Sequence, residues 1–91
     1  MYGLTSQIRR CAASVAANIA EGCGKHGNPE FQRVLNIAAG SASELEYHFL
    51  LSKDLGLLSA ERYQELHSGV VEVKRMLASL TRKINEERLA S

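Results

Sequence analysis

Apolar residues near the end of the chain recur at a spacing that only packed helices use. Tyr63, Leu66, Val70, Val73, Leu77, Leu80 and Ile84 alternate steps of three and four residues. Phe31, Leu35, Ala38, Ala42, Leu45 and Phe49 do the same in the middle, and Leu4, Ile8, Cys11, Val15 and Ile19 at the start. An α-helix gathers such positions into one stripe, because each residue advances by about 100°. Stripes of this period belong to helices packed nearly antiparallel with a left-handed supercoil. No stretch shows the two-residue alternation of a strand. The expected fold class is all-α: an up-down antiparallel helical bundle to which this chain supplies three long helices, in one domain over 1–91.

Punctuation residues set the expected limits at about 5–21, 29–55 and 60–84. Thr5 is a plausible N-cap of the first helix and Gly22 its terminator. The glycine-rich loop Gly22–Gly27 follows, then Asn28 as a cap with Pro29 in the first helical position, where proline loses no intrahelical bond. Gly56 fits the residue just past the second helix, with Leu57 as the apolar contact of a Schellman-type stop. Ser59 caps the third helix, and Leu58 can staple onto Tyr63.

The first helix has a second character. Seven of the ten residues from Cys11 to Ala20 are Ala, Ser or Cys, so another backbone can approach closely. Arg10, Ser14, Asn18 and Glu21 fall within an arc of about 80°. Ser14, Asn18 and Glu21, with Ser41 and Glu44 of the second helix, form the expected interhelical polar network, since a polar group at a seam costs stability unless paired. Gly40 marks an expected close helix approach, with Ser41 bonding to its own helix or across to Asn18. Val34, Ile37, Leu50, Leu51, Val71 and Met76 lie outside the three seams. Leaving about 400 Å² of such surface wet forgoes about 10 kcal/mol, comparable to the stability of a whole domain. A further helix or other copies of the chain are expected to cover it.

Charge excludes a strong, autonomous nucleic-acid binder. The net charge is +1, and no segment carries a dense basic run. No apolar stretch reaches membrane-spanning length and no signal peptide is evident, so a cytoplasmic location without membrane contact is expected. Cys11 and Cys23 read as structural thiols, not a disulfide. His26, His48 and His67 lack HxxxH, HExxH or CxxC companions, and no Glu-x-x-His occurs, so neither metal nor cofactor is expected. Glu30, Glu44, Glu46 and Glu61 read as a solvated face. The loop Gly22–Gly27 lacks the spacing of a phosphate-binding loop. No nucleophile–base constellation is present, so no enzyme activity and no small-molecule substrate are expected.

The run LTSQIRRCAASVAANIAEGCGK, Leu4–Lys25, resembles a signature of the four-helix bundle proteins associated with intervening sequences of bacterial 23S rRNA genes. Gly40, Ser41, Glu44 and Leu45 in AAGSASELE, Ala38–Glu46, match a second signature, and the LGLL turn matches too. Ala16, Cys23 and Ala39 depart from it, and Ala39 removes a basic charge. Family members usually carry a further helix ahead of the position of Tyr2, which this sequence does not contain. The resemblance implies a homo-oligomer of bundles, with a pentameric ring as its form, and no established reaction. The function expected is therefore a non-enzymatic oligomeric scaffold, with Arg9, Arg10, Lys25 and Arg33 as the partner or nucleic-acid contact. The alternative is weak binding of structured RNA, or of DNA, through basic patches repeated around a ring, where weak contacts sum by avidity.

Overall fold

The computed structural model describes residues 2–23 and 29–90. They form three helices, α1 (Tyr2–Cys23), α2 (Pro29–Asp54) and α3 (Ala60–Ala90), and no strand occurs among the described residues. The protein is an all-α helical bundle. None of these helices is long and apolar enough to cross a membrane.

The α2–α3 turn follows from its residues. Gly56 adopts φ 77°, the left-handed conformation that glycine reaches without a Cβ clash. The Leu57 amide donates to the Ser52 carbonyl at 2.9 Å and the Gly56 amide to the Lys53 carbonyl at 3.0 Å, the two bonds of a Schellman stop. Ser59 then caps α3: its Oγ accepts from the Arg62 amide at 3.0 Å. Leu58 packs in one cluster with Tyr63.

Helix ends differ from the expected limits where tertiary burial overrides local signals. Thr5 does not cap α1, which starts at Tyr2. Leu4 lines a cleft with Phe49, Leu57 and Leu58, and burying it extends the helix by a turn. Gly22 does not end α1 either. A Cβ there would lie 2.7 Å from the ring of Phe31, so Gly22 is required for close approach of α1 to α2. Gly40, by contrast, is exposed and a Cβ on it would meet nothing within 4 Å, so within the chain it marks no close approach. Beyond Ile84, the last buried residue of α3 among those described, the helix continues to Ala90, with Asn85, Glu86, Glu87 and Leu89 exposed. The expected Asn28 cap lies outside the described residues.

The three helices form a layer. Central α2 packs antiparallel against α1 on one side and α3 on the other, while α1 and α3 make no close backbone contact. The extents are 51 × 21 × 13 Å. The α3 stripe divides accordingly. Tyr63, Val70, Leu77 and Ile84, each a heptad apart, are buried against α2, whereas Leu66, Val73 and Leu80 stay half-buried.

The main core joins Val15, Phe31, Val34, Leu35, Ala38, Ala42, Leu77 and Ile84. Val34, set outside the seam by its spacing, is fully buried there, and Leu51 is half-buried. Ile37, Leu50, Val71 and Met76 remain exposed, Met76 by 60%.

The two glycines should respond oppositely to alanine. Gly40→Ala is expected to raise stability by about 0.5–1 kcal/mol, since it gains helix propensity in open space. Gly22→Ala should lower it by about 1–2 kcal/mol despite the same propensity gain, because the buried Phe31 ring must move. Urea unfolding of both variants measures the difference.

Candidate functional site

Polar groups meet at three places along the layer. On the α1–α2 seam, Ser14 Oγ and Ser41 Oγ lie 2.8 Å apart. Asn18 Nδ2 donates to the Ser14 carbonyl at 2.8 Å and reaches Ser14 Oγ at 3.3 Å. Ser41 therefore reaches Asn18 through Ser14 and not directly. Small residues make this possible, since short Ser side chains can touch only where the backbones are close. Glu21 is exposed and stands apart from this network. Glu44 also stands apart, beside a different pair.

That pair is Cys11 and His48. Their ligating atoms and a Glu44 carboxylate oxygen all lie within 4.8 Å of one another. Cys11 projects from α1, while Glu44 and His48, one turn apart, project from α2. The His48 side chain is only 9% exposed, and neither ring nitrogen has a hydrogen-bond partner among the described residues. Glu44 Oε1 comes to 3.5 Å from His48 Nε2, too long for an effective hydrogen bond. A buried imidazole left this way costs about 1–3 kcal/mol. Burial pushes the Cys11 thiol above its ordinary value; the Glu44 carboxylate adds to this through its charge and as an acceptor, and Arg10 opposes it. Cys11 is thereby held as a thiol, the reverse of an activated nucleophile.

The third place joins α2 to α3. Lys74 Nζ donates to Glu46 Oε1 at 2.8 Å, with His67 Nδ1 at 3.6 Å from Glu46 Oε2. His67 stacks on Tyr63, whose ring also carries Lys53 Nζ at 5.0 Å. The bond from Lys74 chiefly holds the Glu46 carboxyl below the usual carboxylate range; partial burial opposes it, and the charges of Lys74 and His67 add to it.

The four basic residues expected to form one contact surface are not equivalent. Arg9 and Arg10 are exposed on α1. Arg33 is tied to Glu30 on its own helix, with Nε donating at 3.0 Å. Lys25 lies outside the described residues, as does His26.

A groove runs along the layer, with α1 and α3 as walls and α2 as floor. Ala12, Val15, Leu45, Phe49, Leu66 and Val70 line a cleft of about 360 Å³. It shares Val73 with a cleft of about 490 Å³ lined by Ile19, Met76, Leu77 and Leu80. At the opposite end Leu4, Ile8, Leu57 and Leu58 continue the apolar lining.

These features have a known setting. A helical layer with an open apolar groove and a Ser–Asn seam defines an incompletely enclosed bundle. The chain belongs to the 23S rRNA-intervening sequence protein family, whose profile matches residues 1–79. It is similar to a Bacteroides thetaiotaomicron protein of unknown function from the S23 ribosomal protein family, known from a crystal structure at 1.70 Å. The two share 29% identity with a TM-score of 0.83, over 87% of this chain and 70% of that one. No curated protein matches the sequence.

The grouping of Cys11, Glu44 and His48 is not among the features expected from the sequence. The spacing of Glu44 and His48 (i, i+4) was a readable signal; the arrival of Cys11 from another helix was not.

Two outcomes follow. A double-mutant cycle of Ser14→Ala and Ser41→Ala should give a coupling of about 0.5–1 kcal/mol in chemical denaturation. Because the native Glu46 carboxyl binds its proton less tightly than the unfolded chain does, its contribution is complete above the ordinary carboxylate pKa and is lost as pH falls through the lower native value. Glu46→Gln should therefore lower stability by at most about 1 kcal/mol at neutral pH, given the partial exposure of the pair. The gap from the parent should close below about pH 4.

Proposed function

We propose that the protein is a non-enzymatic helical scaffold that works as a homo-oligomer, with a pentameric ring as the assembly. The groove carries this reading. It runs the length of the layer, is lined mostly by aliphatic and aromatic side chains, and keeps one half of the α3 stripe only half-buried. Exposed Ile37, Leu50, Val71 and Met76 extend the uncovered apolar surface. Contiguous surface of this kind marks interaction sites in soluble proteins. The thiol state of Cys11 supports a non-catalytic role, because its surroundings suppress the nucleophile.

Light scattering tests the proposal. The parent should form one closed oligomer of fixed mass. Val73→Glu, which places a charge where the two main clefts meet, should shift it to smaller species while circular dichroism stays helical. A folded monomer at all accessible concentrations would overturn the proposal.

A second reading, weak binding of structured RNA, draws on Arg9 and Arg10, which are exposed and hold no side-chain hydrogen bond or ion pair among the described residues. The tie between Arg33 and Glu30 takes one of the three described basic residues out of the patch and places this reading second. It requires RNA mobility shifts that fall steeply with salt and weaken in Arg10→Ala; no shift at low salt would end it.

A further inference from the structure

We propose that Cys11, Glu44 and His48 form a binding site for a divalent transition-metal ion of the zinc class, linking α1 to α2. Three observations converge on one point. The three ligand atoms lie within 4.8 Å of one another. A tetrahedral zinc ion, with bonds of about 2.0–2.3 Å, sets neighbouring ligands roughly 3.3–3.8 Å apart, so small side-chain rotations suffice. The Glu44–His48 approach, 3.5 Å, already lies within that range. Finally, the buried His48 ring, with both nitrogens unpartnered among the described residues, is grouped with the thiol and the carboxylate. A buried imidazole nitrogen without a protein partner is satisfied when it ligates a metal.

The donor set selects the ion. Thiolate and imidazole favour zinc, cobalt or nickel over magnesium or calcium, which take oxygen ligands. Thiolate and carboxylate each bring one negative charge, and with neutral imidazole they balance a divalent cation, which a half-buried site requires. Binding breaks the Cys11 S–H bond and forms the S–metal bond. The proton leaves to solvent past Glu44, whose side chain is 62% exposed. The same exposure leaves the fourth coordination position to water. Arg10 stands near enough to favour the thiolate.

A nucleophilic reading of the same residues is disfavoured by charge: burial and the nearby Glu44 carboxylate hold Cys11 as a thiol in the metal-free protein.

Cobalt(II) is the probe for the test, added anaerobically to the full chain after chelator treatment. One equivalent should produce a near-ultraviolet thiolate-to-cobalt charge-transfer band and intense tetrahedral d–d bands, both displaced by one equivalent of zinc(II). Zinc should also raise the melting temperature. Cys11→Ala should abolish the charge-transfer band, and His48→Gln should weaken binding by at least the roughly 10–100-fold seen on losing a supporting partner. Glu44→Gln alters an exposed side chain and serves if either buried variant fails to fold; it should weaken binding by about tenfold or more. Absence of the charge-transfer band in the parent would overturn the site. So would its persistence in Cys11→Ala, which would assign the thiolate to Cys23, or cobalt affinity unchanged in folded Glu44→Gln.

Discussion

The contact that organises this molecule is the double engagement of α2. Its apolar residues wrap far enough around the helix to serve two neighbours. Val34, Leu35 and Ala38 are wholly buried, and both core clusters include α2 side chains. The outer helices have narrower apolar faces and one packed neighbour each. Without α2, α1 and α3 have no close backbone contact between them. Everything else in the structure is arranged around this asymmetry, including the groove that the outer helices border but do not close.

Two kinds of polar device decorate the two sides of α2. The α1 side, built from small residues, admits short hydrogen bonds between Ser14, Ser41 and Asn18. The α3 side, with larger residues, uses the longer Lys74–Glu46 pair and the stacked Tyr63–His67 pair. Side-chain size sets the distance between axes, and the distance then selects the polar chemistry that can span it. Cys11 fits the same logic: only a small side chain from α1 can sit against Glu44 and His48.

Much of the fold was legible because its signals are local. The apolar period, the Gly56 turn and the Ser59 cap act through neighbouring residues, and each reads directly from the chain. Helix ends were less legible at Thr5 and Gly22, where contacts with distant residues override local preference. Gly22 and Gly40 look alike in sequence, yet one lies beneath the Phe31 ring and the other faces open space. The candidate site was harder still. The Ser–Asn seam was visible as a polar stripe, but the stripe also contained Glu21, which does not take part. The cysteine, glutamate and histidine come together only when α1 docks on α2, and no spacing rule spans that gap.

The absence of packing between α1 and α3 has a kinetic side. Every close backbone contact between helices among the described residues joins helices that are consecutive in the chain. No step of folding therefore has to bring the two outer helices together and close the long intervening loop, whose entropic penalty grows with length. Each hairpin can zip from its own connection, and the second can add to the first from either direction. Topologies of this kind belong to the rapid end of the folding scale.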